Sequence, residues 1–456
     1  MKTKTIQFFK EIASIPRESG NEENIAKYLC KFAKSRNLYY ECDKYNNVLI
    51  KKKNCNKEPI ILQAHTDMVC EKEEGKVFGF EKDGIEVIEE NGYLRANGTT
   101  LGADNGIGIA QILSVLDSNI KCNIEAVFTV SEETSMIGAM NFDTTKLKGK
   151  KLLSLDGFEE NCILIESACF YDIILKSNYC FNEKGKIYEI ALTGMKGGHS
   201  GFDIDKGFGN SSIELAKIMD KIQDIKISNF IGGTKFNVIP SCAKAKFYSK
   251  LSLQEIKNIC KKEVKTLQDK YPNIKIEVYD KKEEAKLLDN KQSREFLKTI
   301  IEFPEGVIHK NEKQEVTTSI NIGIVDLEEQ EMKIGMRSSK KGEEAKCVEL
   351  IKEFSKKHKL EFTILGSQPG FESREDSDLI QKLLKTHPVE KFKSLPVIKA
   401  VHITVEVGFF KEKIPELQIA IIAPNIQGAH TPRECVEISS IERVDNWLWE
   451  FLKLGE

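Results

Sequence analysis

PIILQAHTD (59–67) is a run of apolar residues that ends in a histidine, a threonine and an aspartate. An unbroken apolar run opened by a proline reads as a strand buried on both faces, the texture of a parallel sheet covered by helices. The same form recurs three times along the chain. IEAVFTV (124–130) is followed by Ser131-Glu132-Glu133, KLLSL (151–155) by Asp156, and LQIAIIA (417–423) by a loop carrying His430. Ligands of open α/β sheets collect outside the carboxyl ends of the strands. Four strands therefore bring imidazole and carboxylate groups to one edge. A further carboxylate, Asp104, lies in TTLGADNGIGIA (99–110), where a glycine-rich turn enters a helix.

Outward from these strands, helix and strand signals alternate. TIQFFKEIASI has helical spacing and stops at Pro16, and residues 21–34 repeat apolar positions at Ile25, Tyr28, Leu29 and Phe32. NVLI (47–50) is a further short strand, and GIGIAQILSVL (106–116) reads as a buried helix. From about residue 185 the texture changes. KIYEIAL (186–192), SSIELAKIMDKI (211–222), TKFNVIP and KAKFYS (234–249), LQEIKNICKKEVKTL (253–267) and IKIEVY (274–279) read as β-α-β-β-α-β, a ferredoxin-like unit. A similar, weaker pattern follows, with strands near 317–324, 331–337 and 360–365 and a helix near 343–358. The last segment returns to α/β texture and closes on the amphipathic helix IERVDNWLWEFLKL. The expected fold class is α/β: one split domain with a mostly parallel central sheet (1–166 and 371–456) and an inserted α+β domain (167–370).

The chain has 456 residues, 40% of them hydrophobic and 30% charged, which is ordinary globular composition. The formal charge is −2, so no basic field exists to attract nucleic acid or an anionic bilayer. The twelve cysteines are scattered and none forms C-x-x-C, which reads as free thiols in a reducing compartment. The N-terminal apolar stretch is broken by Lys10 and Glu11, unlike a signal peptide, and no apolar run approaches the roughly 20 residues of a membrane span. A cytoplasmic enzyme or binding protein is expected. Only eight of the 68 basic residues are arginines. Each arginine is therefore informative, because bidentate carboxylate binding needs a guanidinium.

Histidines and carboxylates without cysteine suit a borderline-hard divalent ion such as Zn²⁺, Mn²⁺ or Co²⁺. The number of candidate ligands, with one carboxylate able to bridge, fits a two-metal site. In an extended His65-x-Asp67 both side chains point the same way, so Asp67 can orient the imidazole. In Glu132-Glu133 one residue would bind metal and the other would act as general base. Taken singly, these features are common: an H-x-D in a surface loop, a solvated Glu-Glu pair, an Asp at a helix N-cap. Their joint position after equivalent strands is what distinguishes them. TTLGADNGIG lacks the G-x-x-x-x-G-K-[ST] of a phosphate loop, and its acidic residue would repel phosphate.

QAHTDMV, TTLGADNGIG, SEETSMIGA, LLSLDG, MKGGHSG and QGAHTPRE resemble the zinc metallopeptidase family of carnosinases, aminoacylases and carboxypeptidase G-type enzymes. The longer forms TTLGADNGIGIA, GGHSG and GAHTP resemble its dipeptidase branch, which cleaves aminoacyl-histidine and other unblocked dipeptides. The resemblance spans residues 5–453. It implies two zinc ions per chain, with Co²⁺ or Mn²⁺ as substitutes. His65 and Asp156 would hold one ion, Glu133 and His430 the other, and Asp104 would bridge them. A metal-bridging water would be the nucleophile and Glu132 its general base, with Asp67 orienting His65. His199, in MKGGHSGFDID, would stabilise the oxyanion, often in the partner subunit's site. Arg337, in KIGMRSS, would hold the substrate carboxylate, Asn237 would line the cleft, and Glu406 would meet the α-amino group. The inserted domain would be a lid through which two copies dimerise.

Two stretches depart from the branch: GFEENCILIESACFYD (157–172) and the TSMIGA after Glu133. They bear on substrate preference rather than on ligands. The alternatives are an N-acyl amino acid amidohydrolase or tripeptidase on the same machinery, or a non-catalytic binding protein that kept the fold.

Overall fold

The computed structural model describes residues 4–454. The chain divides into two compact units. The first takes the chain up to Ser167, Pro369–Val401 and the chain from Val405 onward, and the second takes Ala168–Gln368 with His402–Thr404.

The first unit is built on a nine-stranded sheet. Its middle strands, in spatial order, are Ile124–Thr129, Ile60–His65, Lys151–Ser154 and Gln418–Ile421, all mutually parallel. Their residues are apolar on both faces because helices cover both. The flanks are antiparallel: Val48–Lys52 and Tyr39–Cys42 on one side, Cys162–Ser167 and Phe371–Glu372 on the other. The sheet is thus parallel at its centre and mixed overall. Register brings the strand ends level, with His65 opposite Thr129 and Ser154 opposite both Gln63 and Ile421. Helix Ala103–Leu116 is buried along its whole length. It packs on strand Ile60–His65 and on helix Lys4–Ala13. Its lack of any polar face follows from being covered on every side.

The turn into that helix shows why TTLG carries a glycine. Gly102 has φ +68°, and a Cβ there would stand 2.4 Å from Arg17 Nη2 and 2.7 Å from Met68 Sδ. Gly102→Ala therefore meets both left-handed backbone strain and overpacking, together about 2–4 kcal/mol. Denaturant unfolding of the metal-free protein should show a loss of that size; an unchanged midpoint would mean the turn relaxes freely.

The second unit carries another nine-stranded sheet. Its first half runs Lys275–Leu287, Glu183–Thr193, Ala243–Tyr248, Lys226–Gly232, all antiparallel neighbours. With helices Ser211–Met219 and Leu253–Leu267 this is the ferredoxin-like order 4-1-3-2. The second half mirrors it: Val316–Asp326, Glu331–Ser338, Cys169–Lys176 and Glu361–Gln368. One expectation is corrected. The second strand of the first half is Lys226–Gly232, not TKFNVIP, which contributes only the short Val238–Ile239 pairing with Gly198–His199. The register shift between Ile227 and Asn229 breaks the alternation that would have marked that strand.

Helix Leu253–Leu267 begins at a capping box, in which Ser252 and Glu255 each accept the other's backbone N–H. All twelve cysteines are free. Among the described residues no helix is long and apolar enough to cross a membrane.

Candidate metal centre

The site of the first unit lies at the carboxyl ends of its parallel strands. His65 closes strand Ile60–His65, Glu132 and Glu133 follow Ile124–Thr129, and Asp156 follows Lys151–Ser154. His430 stands in the loop before Cys435–Glu437 with φ +61°. Asp104 enters from the first turn of the buried helix.

Asp104 is the centre of the cluster. Its Oδ1 lies 3.0 Å from His65 Nε2 and its Oδ2 lies 3.2 Å from His430 Nε2. His430 Nε2 is also 3.0 Å from Glu133, and His65 Nε2 is 3.7 Å from Asp156. The ligand atoms fall into compact groups: His65, Asp104 and Asp156; Asp104, Glu133 and His430; and His65, Glu132 and Glu133. One carboxylate facing two histidines from its two oxygens would suit a carboxylate shared by two metal ions.

Electrostatics support the same fit. Burial pushes Glu132 well above the carboxylate range and raises Glu133, and it pushes Asp156 up to about 6. The Asp104 and Glu133 carboxylates, accepting from its ring, push His430 up to about 10. Burial opposes a charge on His65, but Asp156, Asp104 and Asp67 together raise it well above its ordinary value. Such a cluster holds more negative charge than two imidazoles offset. A divalent cation in each of the two groups that contain Asp104 would supply the balance, so the donor set fits two such ions.

Asp67 organises the neighbourhood without joining any group. Its Oδ1 accepts the Glu132 N–H at 3.0 Å, and its Oδ2 accepts the Glu133 N–H at 3.1 Å and the Ser19 hydroxyl at 2.7 Å. Oδ1 also lies 3.4 Å from His65 Nδ1. Asn105 steadies Asp156, donating to its Oδ1 at 2.8 Å.

Glu406 lies between the strands that lead to the site. It is wholly buried, and its Oε1 accepts from the Thr129 hydroxyl and from Gln63 Nε2. Burial pushes it up to about 8. Its contacts are with the two strands that carry the candidate ligands, and its Oε2 is buried without a hydrogen-bond partner.

The second unit holds the other expected residues. His199 Nδ1 accepts the backbone N–H groups of Gly201 and Phe202 at 3.1 and 3.2 Å. That fixes the neutral tautomer with its proton on Nε2, a donor. Arg337 is only 4% exposed. It stacks over Phe170 at 4.3 Å and donates to Thr404 Oγ1 at 3.2 Å. Burial pulls it down to about 10, which leaves it charged at neutral pH. No carboxylate among the described residues forms an ion pair with it. Asn237 accepts the Ser200 N–H through its carbonyl at 2.9 Å, which ties its loop to that of His199. His402 was not anticipated; its Nε2 lies 2.7 Å from Ser319 Oγ, and burial holds the ring neutral, pulling it down to about 3.

Arg17 and Glu434 were also not anticipated. Both are buried and both bind the backbone of ligand-bearing loops. The scarcity of arginine was the one available signal for Arg17. Glu434, at the end of GAHTPRE, had no signal beyond its place in that motif.

Residues 61–453 match the model of peptidase family M20/M25/M40. A cytosol non-specific dipeptidase of Escherichia coli K12 is 31% identical, over 98% of this chain and 96% of its own length. The crystal structure of an aminoacylhistidine dipeptidase from Vibrio alginolyticus matches with a TM-score of 0.84 at 27% identity, covering 99% of this chain and 96% of that one. Aminopeptidase PepT from Bacillus cereus shares the fold at 14% identity, with a TM-score of 0.58 over 100% of this chain and 99% of that one.

Proposed function

The chain belongs to peptidase family M20/M25/M40, and from that premise we propose that it is a dinuclear zinc dipeptidase acting on unblocked dipeptides, Xaa-His among them. The observation that carries the reading is Asp104 set between His65 and His430, one oxygen toward each. The names of the relatives, both dipeptidases, favour this substrate class over N-acyl amino acids.

His65 and Asp156 would hold one ion, Glu133 and His430 the other, with Asp104 shared between them. Bound metal supplies Lewis acidity and makes water acidic enough to ionise near neutral pH. Glu132 takes the proton of the attacking water and passes it to the leaving amine. Asp67 fixes both Glu132 and Glu133 through their backbone N–H groups. His199 carries its proton on Nε2 and donates it to the developing oxyanion. Arg337, charged and free of any ion pair among the described residues, receives the substrate carboxylate, and Asn237 lines the cleft beside it. The name of the Escherichia coli relative and the free thiols favour a cytoplasmic location. A homodimer built through the second unit rests on the resemblance alone.

The test is a substrate panel: Ala-His, β-Ala-His, Ala-His amide and N-acetyl-Ala, with zinc-loaded protein. Free dipeptides should be cleaved fastest. Cleavage of N-acetyl-Ala alone would make the protein an amidohydrolase, and no cleavage by zinc-loaded protein would favour a binding role. Within the same panel Arg337→Met should raise KM for free dipeptides about 10–100-fold, the worth of a charged hydrogen-bond pair. The amide, which has no carboxylate, should show little change. Equal losses on both substrates would remove Arg337 from the carboxylate site.

A further inference from the structure

We propose that Arg17 and Glu434 form a buried bracket that fixes the spacing of the ligand loops and so sets the affinity of the second metal ion. The proposal rests on the two-metal reading above. Neither residue contacts a ligand side chain, so each is a positioning residue.

The ligands come from loops far apart in sequence. His65 and Asp67 lie in one, Asp104 in a second and His430 in a third. Short pairings run near these loops, Tyr93–Arg95 with Cys435–Glu437 and a single bridge from Lys72 to Thr99, but none includes residues 101–104. Arg17 joins the first two. Its Nη1 donates to the carbonyls of Thr66 and Asp67, both at 2.9 Å, and its Nη2 donates to the carbonyl of Gly102. Glu434 joins the second to the third. Its Oε2 accepts the N–H groups of Leu101 and Gly102 at 2.8 and 2.9 Å, and its Oε1 accepts the N–H of Asp104 itself at 3.2 Å. On its own loop, Glu434 N–H donates to Thr431 and Thr431 N–H donates to Gly428, the turn that holds His430. The Gly102 peptide is thus gripped on both sides: its carbonyl by Arg17, its N–H by Glu434.

A stability role alone does not account for this pattern. The guanidinium and the carboxylate are 1% and 3% exposed, yet they do not pair with each other; each spends its charge on backbone atoms. Arg17 also leaves its Nε buried without a partner, a cost that a residue kept for stability would avoid. Buried charge is often replaceable by apolar side chains without loss of stability. Apolar side chains would not hold three loops in register. That register decides whether the two oxygens of Asp104 face His65 and His430 together.

The experiment is titration of metal-free protein with Zn²⁺ by calorimetry under chelator competition, with Co²⁺ absorption spectra as a second readout. Wild type should bind two equivalents. Glu434→Gln keeps the shape but cannot accept three N–H groups, and Arg17→Met breaks the other half. Each should weaken the second equivalent about 10–100-fold, the usual effect of removing a group that orients ligands, and should alter the Co²⁺ spectrum. Leu383→Ala, in the core of the same unit, is the folding control: it should lower Tm and leave both affinities unchanged. If Glu434→Gln does not fold, Glu434→Asp keeps the charge on a shorter stem and should show the same weakening. Unchanged zinc affinities and Co²⁺ spectra in folded bracket variants would overturn the bracket while leaving the two-metal reading intact. A wild type that takes up no metal would overturn both.

Discussion

Glu132→Gln lowers kcat on free dipeptides by about 10²–10⁴-fold while the protein still binds two zinc ions. Glu132 is adjacent to Glu133, and both backbone N–H groups are pinned by the one Asp67 carboxylate. Only Glu133 lies beside His430, at 3.0 Å, in the group with Asp104. Glu132 is left with a half-buried carboxyl near His65, held well above the ordinary range by desolvation. A carboxyl of raised proton affinity can take a proton near neutral pH and give it back, which an ordinary surface glutamate does poorly. Glutamine keeps the size and the backbone contacts but cannot accept a proton. Rate and metal content therefore separate two roles. Loss of rate with full metal content makes Glu132 the base. Loss of one zinc together with the rate would make it a ligand, as the group of His65, Glu132 and Glu133 also allows.

The cluster of histidines and carboxylates was legible because His65, Glu133 and Asp156 sit at or just after the ends of buried strands and Asp104 at a helix entry; only His430 stands in a longer loop. PIILQA, IEAVFTV and KLLSL form strands within a residue or two of their apolar runs, since a strand covered on both faces must be apolar throughout. Other features depend on contacts between distant segments. Strand Lys275–Leu287 continues through YDKKEEAKL, which reads as a solvated charge run; its exposed face and its pairing with Glu183–Thr193 make it a strand all the same. Strand Lys226–Gly232 is hidden by its bulge. Arg17 and Glu434 bind carbonyls and N–H groups many residues away, and no local spacing announces such bonds. Glu406 was singled out by its motif, but its bonds to Gln63 and Thr129 likewise join segments hundreds of residues apart.

Asp104→Asn should cost the protein one metal equivalent and with it nearly all activity. The two carboxylate oxygens of Asp104 lie 3.0 and 3.2 Å from different histidines, so two bound ions would share this one side chain. Asparagine offers a single acceptor oxygen, and its amide nitrogen is a donor that a cation repels. It also removes one negative charge from between the two positions, which raises the repulsion between the ions. The change is nearly isosteric, and the Glu434 contact to the backbone N–H of residue 104 survives it, so the fold around the turn is retained. Zinc that binds only the folded state stabilises wild type by about 4 kcal/mol for each site held at a thousandfold excess over its Kd. Asp104→Asn should keep its metal-free Tm near that of wild type but gain roughly half the zinc-induced rise, with one zinc per chain by elemental analysis. Two zinc ions and a full rise would mean that Asp104 does not bridge and that the sites are separate. No zinc at all would mean that the first site also cannot form without the bridging carboxylate, which makes metal uptake cooperative through Asp104.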